Sequence, residues 1–140
     1  MPLLLGIDNG LTVTKAVIFD ETGRVLATAR RRVAQSMPEP RHVERDMDDL
    51  WTQTAAAIAE AVAACGRPAS DIAAIAATAH GDGLYLLDQS ARPLGPGILS
   101  LDSRAGALAE SWATDGTADL ALSRTEQMPH ASAPSAILGW

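Results

Sequence analysis

Three short hydrophobic runs near the amino terminus constrain the fold more strongly than any other feature of the sequence. They cover residues 3–7, 13–20 and 25–33, and the two links between them, residues 8–10 and 21–23, each end in glycine. Short runs rich in β-branched residues and joined by tight, glycine-containing links are typical of β-hairpins. The sequence therefore predicts an antiparallel meander of three strands.

A long segment with helical periodicity follows the meander. Asp46 has the position of a helix N-cap, because two further aspartates lie in the first turn, where the helix dipole favours carboxylates. Apolar and small residues then recur at helical spacing from Leu50 to Cys65, and Gly66 and Pro68 end the pattern. The charged residues around this cap are interpreted as loop and cap, without a chemical role.

The remainder of the chain alternates short apolar runs with turns. Strands are predicted at residues 72–78, 84–87 and 98–101. A helix is predicted from Ser103 to Trp112, then a loop from Thr114, and a further helix that begins near Ser135. Three strands, a helix and further strands in this order predict an α/β fold with a mixed sheet.

Charge and targeting signals exclude several classes of protein. The formal net charge is −6 and the only basic cluster is residues 30–32, which argues against a nucleic-acid partner. Cys65 is the only cysteine, so no disulfide forms within the chain, as is usual in a reducing compartment. The amino terminus lacks the basic segment of a signal peptide, and no run has the length of a membrane span. We expect a cytoplasmic protein without a membrane partner.

The first link, residues 8–10, and the residues that follow it up to Lys15 have two interpretations. Asn-Gly is a strong hairpin-turn signal, and a plain turn explains it. Alternatively, the Asp8 carboxylate at a strand end holds hydrated magnesium, and Gly10 lets a phosphate approach the backbone. Three further donors to phosphate oxygens follow: Thr12, Thr14 and Lys15. The GxxxxGK[ST] and GxGxxG motifs are absent, so neither a P-loop nor a Rossmann dinucleotide site is supported.

Two later polar segments also have two interpretations each. His80, Gly81 and Asp82 form either a solvent-exposed glycine turn or a cleft-lining loop that binds hydroxyl groups. Asp102 and Arg104 form either a helix cap with a surface ion pair or two groups that reach into the same cleft. The GxSxG, HExxH and CxxC motifs are absent, so hydrolase, zinc-protease and thioredoxin functions have no support.

Taken in order, four segments resemble the FGGY family of carbohydrate kinases. They are GIDNGLTVTKAVIFD at residues 6–20, VERDMDDLW at residues 43–51, ATAHGDGLYLLD at residues 77–88, and RPL, ILSL and DSRA within residues 92–105. The HGxGLY loop and the SxDxR motif are most similar to the L-xylulose, 3-keto-gulonate and erythritol kinase branch. Leu11 departs from the family pattern, which commonly has threonine or glycine at that position.

The resemblance implies the ribonuclease H-like fold of the actin and sugar-kinase superfamily, with ATP and Mg²⁺ as cofactors and a sugar or polyol as substrate. By position, the residues that would face the ATP phosphates are Asp8, Asn9, Gly10, Thr12, Thr14 and Lys15, with Asp8 as the metal ligand. The residues that would lie at or near the sugar are His80, Gly81, Asp82, Asp102 and Arg104.

The resemblance also implies a much longer enzyme. Residues 1–140 would be the first portion of the N-terminal domain, and the general-base aspartate and the second domain would lie downstream. We therefore expect residues 1–140 alone to be inactive, and their exposed apolar surface to cause association, with a homodimer as one outcome. Two alternatives stay open: a non-catalytic ligand- or partner-binding module of the same fold, and another ATPase of the superfamily.

Overall fold

The computed structural model describes residues 1–140, which divide into two compact units. The first unit comprises Met1–Ala34 and Asp46–His80, and the second comprises Gln35–Arg45 and Gly81–Trp140. The strands are β1 (Leu3–Asn9), β2 (Val13–Asp20), β3 (Val25–Arg32), β4 (Glu44–Arg45), β5 (Ile72–Ala79) and β6 (Gly97–Ile98). The helices are α1 (Met47–Cys65), α2 (Gly106–Thr114), α3 (Thr117–Thr125) and α4 (Pro134–Gly139), with a 3₁₀ turn at Ala69–Asp71.

The first unit contains a four-stranded sheet in the order β3-β2-β1-β5. The pairs β1–β2 and β2–β3 are antiparallel, which confirms the predicted meander. Strand β5 follows α1 and pairs in parallel with β1, so the sheet is mixed. Its register places Asp8 opposite Lys15 and Asn9 opposite Thr14. These two pairs point to opposite faces, because successive residues of a strand alternate between faces.

Helix α1 packs on one face of this sheet. Leu5, Ala16 and Ile18 are buried on that face, against Ala57 and Ala61 of the helix. The two helix alanines are four residues apart, so they share one side of α1 and let it approach the strands closely. As predicted, the Asp46 side chain caps the helix by accepting from the backbone N–H groups of residues 48 and 49.

Asp20 holds the β2–β3 turn. Its buried carboxylate accepts hydrogen bonds from the Thr22 hydroxyl at 2.6 Å, and from the backbone N–H groups of Thr22 and Arg24 at 3.0 Å each. The Thr22 hydroxyl is the main reason that the pKa of Asp20 falls to about 2. A carboxylate at the end of β2 thus supplies acceptors for the N–H groups of the turn that follows.

The second unit contains short elements. Strands β4 and β6 form a two-stranded antiparallel sheet, and a small apolar core contains Ala105, Ala136 and Ile137. The predicted strand at residues 84–87 is wrong: Leu84 and Leu87 make only single bridges, to Ile98 and Pro93. The predicted strand at residues 98–101 is wrong beyond Ile98, because the chain turns there and Asp102 N donates to Leu99 O.

The helices of the second unit correct two further predictions. Helix α2 begins at Gly106, three residues later than predicted, and α4 lies where a helix was expected. Helix α3 occupies part of the stretch predicted as loop. Only Ala118 of α3 is buried, and Leu120 and Leu122 are exposed, so this helix lacks the core-facing apolar stripe by which α1 was predicted. None of the helices has the length and apolar character of a membrane span.

Candidate functional site

The β1–β2 hairpin presents one ion pair on the sheet face opposite α1. Lys15 Nζ donates to Asp8 Oδ2 at 2.9 Å, and the two side chains are 40% and 42% exposed. Beneath the pair, the same face forms a largely apolar groove of about 420 Å³ that also contacts Gly6, Phe19 and Thr78. Both charged groups are accessible to a ligand at the end of β1.

Two other predicted phosphate ligands lie on the opposite face, against α1. Thr14 is fully buried, and its hydroxyl donates to Asn9 Oδ1 at 2.6 Å. The Thr54 hydroxyl of α1 lies 3.0 Å from the same oxygen and 2.8 Å from Leu50 O. The structure therefore separates Asn9 and Thr14 from Asp8 and Lys15.

The turn between β1 and β2 contains the remaining two residues of the predicted set. Gly10 N donates to Val13 O at 3.0 Å, and a Cβ atom at residue 10 would lie 2.9 Å from that carbonyl oxygen. Glycine is thus required by the turn itself. Thr12 is exposed, and its carbonyl accepts from Val33 N at 3.0 Å. Its hydroxyl lies on the surface of the turn.

The predicted metal ligand is a single carboxylate. Residues 1–140 contain no group of three acidic, histidine or cysteine side chains placed to hold a metal ion. This donor set fits Mg²⁺ in a nucleotide site, because Mg²⁺ keeps several waters and binds through one or two carboxylates together with phosphate oxygens. Asp8, half exposed beside a cation, is of that kind.

In the second unit, Asp102 and Arg104 form a buried ionic cluster. The Asp102 carboxylate accepts from Val43 N at 2.7 Å, from Arg104 N and Nε at 2.9 Å each, and from Arg104 Nη2 at 2.8 Å. Arg104 Nη2 also donates to Glu44 Oε1 at 2.6 Å, and its guanidinium lies 5.5 Å from the Trp140 ring centroid. We call Asp102, Arg104 and Glu44 the ionic cluster.

The pKa values within the ionic cluster favour the charged forms. Burial by itself raises the pKa of Asp102, but the hydrogen bonds from Arg104 and the Val43 backbone outweigh it, and the net pKa is lowered. The hydrogen bond to Asp102 is the main reason that the pKa of Arg104 is raised, with Glu44 adding to it. The two ion pairs of the ionic cluster therefore fix residues 43–44 to residues 102–104.

The other predicted sugar-binding residues fall in both units. His80 ends the first unit, and its backbone N–H donates to Asn9 O at 3.1 Å. Gly81 and Asp82 are exposed in the second unit, where Asp82 has a left-handed backbone with φ of 58°. The structure brings Asp102 and Arg104 into contact. A shared sugar site for all five residues stays a prediction.

Sequence reasoning missed two functional candidates, Thr54 and Glu44. Thr54 is a buried hydroxyl at an otherwise apolar helical position, and that mismatch is a signal visible in the sequence. The sequence predicts Glu44 as part of a loop, whereas the structure places it in β4 as an ion-pair partner of Arg104. Its partner lies 60 residues away, and no local pattern indicates that contact.

Comparison with known proteins identifies the family. The model of the FGGY family of carbohydrate kinases, N-terminal domain, matches residues 3–140. The probable L-xylulose kinase of Pasteurella multocida is 37% identical over 140 residues, which are 100% of this chain and 29% of that protein. The L-xylulose/3-keto-L-gulonate kinase of Escherichia coli is 35% identical over 136 residues, 97% of this chain and 27% of that protein.

A solved structure agrees with the sequence comparison. The crystal structure of a xyloylose kinase from Brucella ovis matches 99% of this chain and 28% of that one, with a TM-score of 0.89 and 27% identity. The expected actin and sugar-kinase fold is thereby confirmed. The chain spans less than a third of the length of these relatives. Since the family model matches nearly every residue, the chain belongs to the FGGY family of carbohydrate kinases.

Proposed function

We propose that this chain supplies the phosphate-binding hairpin and part of the acceptor site of an ATP-dependent carbohydrate kinase. The reaction is transfer of the γ-phosphoryl group of ATP to a hydroxyl of a ketose or polyol. L-xylulose is the first acceptor to test, because the two relatives compared above carry that sugar in their names. In this proposal residues 1–140 are the first portion of the family's N-terminal domain.

The observation that carries the proposal is the exposed Asp8–Lys15 pair at the end of β1. Phosphoryl transfer needs positive charge near the phosphate oxygens and a carboxylate for hydrated magnesium. The Lys15 ammonium is a mobile cation that can turn from Asp8 to a phosphate, because an exposed ion pair contributes only about 0–1 kcal/mol. Thr12 adds an exposed hydroxyl in the adjoining turn.

Each residue then has a distinct role. Asp8 would hold the hydrated Mg²⁺, which when bound neutralises charge on the phosphates. Lys15 and Thr12 would donate to phosphate oxygens, and Gly10 keeps the turn compact. No residue of this set is proposed as the proton acceptor from the attacking hydroxyl. That role belongs, by the family resemblance, to a downstream aspartate.

The proposed acceptor site rests on His80, Gly81, Asp82 and the ionic cluster. All four lone-pair directions of the Asp102 carboxylate are taken by internal donors, so Asp102 has little capacity left for a sugar hydroxyl. Arg104 is likewise held by two carboxylates. We therefore propose that Asp102 and Arg104 support the acceptor site by fixing the loops around it.

The experiment measures ADP release by the complete product of the gene that encodes this chain. The acceptors tested are L-xylulose, 3-keto-L-gulonate, erythritol and glycerol, and a reaction without any acceptor is the blank. We expect release with one acceptor, and at least about a hundredfold loss with Lys15→Met, since positioning and charge stabilisation at phosphate dominate this chemistry. The matched control Arg124→Met removes an exposed cation from α3, in the second unit, and should retain activity. No release with any acceptor would contradict the proposal.

A non-catalytic binding module is the second candidate. The exposure of β5, where Ile75 is 64% exposed, favours it, because an open apolar strand is a surface for association. The same assay separates the two candidates. Binding of ATP or a sugar without any ADP release would support the module and contradict the kinase.

A further inference from the structure

A group of polar contacts joins the β1–β2 hairpin, where the phosphates are proposed to bind, to helix α1. Asn9 Oδ1 accepts from the Thr14 hydroxyl at 2.6 Å and lies 3.0 Å from the Thr54 hydroxyl, and the two hydroxyl oxygens are 3.3 Å apart. Thr14 is 0% exposed and Thr54 is 4% exposed, so water does not compete for these contacts. We call Asn9, Thr14 and Thr54 the amide clamp.

The amide clamp fixes the direction of the Asn9 side chain. A carboxamide is planar, with its oxygen on one side and its two N–H donors on the other. Both threonine hydroxyls lie at the oxygen, on the α1 side of the sheet. The Nδ2 hydrogens are left for an acceptor outside the clamp.

The backbone of Asn9 is fixed as well. Its carbonyl accepts from His80 N at 3.1 Å, and its register partners are Thr14 on β2 and Ala79 on β5. Asn9 is also the last residue of β1, so its side chain lies beside the turn that contains Gly10 and Thr12. A donor held at this point is adjacent to the turn where the phosphates are proposed to bind.

We infer that Thr54 is a positioning residue for nucleotide binding. Together with Thr14, it holds Asn9 so that Nδ2 donates to a phosphate oxygen at the hairpin, and neither threonine touches the nucleotide. The inference rests on the proposed function, which puts the phosphates there. An amide N–H that donates to a phosphate makes a charge-assisted hydrogen bond, which is stronger than a neutral one.

The test replaces Thr54 by valine in the complete gene product. Valine has nearly the shape of threonine and lacks the hydroxyl, so the helix packing is kept. Isothermal titration with ADP should show about tenfold weaker binding, the loss expected for one misdirected hydrogen bond to an anion. In turnover assays the KM for ATP should rise while the KM for the acceptor is unchanged. Thr54→Ser, which retains the hydroxyl, should restore ADP affinity.

Two control variants separate positioning from general damage to α1. Thr52→Val makes the same chemical change at an exposed position of the same helix. Ala61→Gly weakens the helix at its buried face without touching the clamp. Both should bind ADP as the unsubstituted protein does.

A double-mutant cycle tests whether Thr54 acts through Asn9. In an Asn9→Ala background, Thr54→Val should cause no further loss of ADP affinity, because effects of residues that act through one another are not additive. A spectroscopic readout is independent of activity. The side-chain ¹H–¹⁵N resonances of Asn9 should shift when ADP is added to the unsubstituted protein, and should shift much less in Thr54→Val.

The possible results are distinguishable. Weaker binding in Thr54→Val, rescue by serine and non-additivity with Asn9→Ala support the inference. Unchanged ADP affinity in Thr54→Val overturns it and leaves the proposed function intact, since the unsubstituted protein still binds ADP. Equal losses in Thr54→Val and Ala61→Gly overturn it in favour of a purely structural role. Absence of ADP binding by the unsubstituted protein overturns both the inference and the proposed function.

Discussion

Replacing Asp102 by asparagine should destabilise the second unit. Asp102 is 1% exposed and accepts four hydrogen bonds at 2.7–2.9 Å, two from backbone N–H groups and two from the Arg104 side chain. Asparagine has the same shape, but it removes the charge and turns one acceptor into a donor that faces other donors. Breaking one side of a buried ion pair typically costs about 3–5 kcal/mol.

The expected loss lies at the lower end of that range, about 3 kcal/mol, because Arg104 keeps its contact with Glu44. That is a large fraction of the roughly 5–15 kcal/mol by which native proteins are stable. Glu44→Gln is the matched control. Glu44 accepts one hydrogen bond from Arg104, and glutamine keeps an acceptor oxygen, so its cost should be about 1 kcal/mol.

The assay is hydrogen exchange of the complete gene product, read by mass spectrometry on peptides that contain Val43 and Arg104. Both backbone N–H groups donate to Asp102, so their exchange should accelerate in Asp102→Asn, whereas peptides of the β1–β2 hairpin should be unaffected. Urea unfolding gives the free energy. The reasoning is refuted if Asp102→Asn unfolds within about 0.5 kcal/mol of the unsubstituted protein, the range of an ordinary surface change.

Three further perturbations follow from the first unit. Gly10→Ala should lower the free energy of unfolding by about 1–3 kcal/mol, because its Cβ would lie 2.9 Å from Val13 O. The control Gly95→Ala places its Cβ in open space and should leave that free energy unchanged. No effect of Gly10→Ala in a urea titration would contradict the turn geometry. Lys15→Met should change the free energy of unfolding by less than about 1 kcal/mol, and it should weaken ADP binding measured by calorimetry. An ADP affinity equal to that of the unsubstituted protein would contradict a role for Lys15 in the phosphate site. Because the pKa of Asp20 is lowered from its ordinary value of 3.8, its ionised carboxylate stabilises the fold at pH values above 3.8. This stabilisation is lost as the pH falls towards about 2. Between pH 4 and pH 2, the urea midpoint of Asp20→Asn should therefore change less with pH than that of the unsubstituted protein. An equal change in both proteins would contradict a stabilising role for the ionised Asp20 carboxylate.

The first unit was predictable because its signals are local. The three strands are short, regular and separated by glycine turns, and α1 has both a cap residue and an αL glycine at its end. The strand register also follows from the turn length, so Asp8 opposite Lys15 could have been derived. The alternation of faces also separates Asp8 from Asn9, because both residues belong to β1.

The second unit was less predictable because its contacts are distant in sequence. Asp102 accepts from Val43, 59 residues earlier, and Arg104 binds Glu44 at a separation of 60. Helix α3 is short and mostly exposed, its N-cap is Gly116, and it lies in a stretch with the composition of a loop. Packing between distant segments decides such regions, and local propensity is weak there.

The most direct test of the account is detection of the phosphorylated product. The complete gene product is incubated with ATP, Mg²⁺ and L-xylulose, and ³¹P NMR follows the phosphorus signals. The account predicts a new sugar-phosphate ester signal that grows with ADP and is absent without the sugar. The signal should be lost in Lys15→Met and retained in Arg124→Met. Inorganic phosphate as the only product, or an ester signal that persists in Lys15→Met, would contradict the proposed phosphate site.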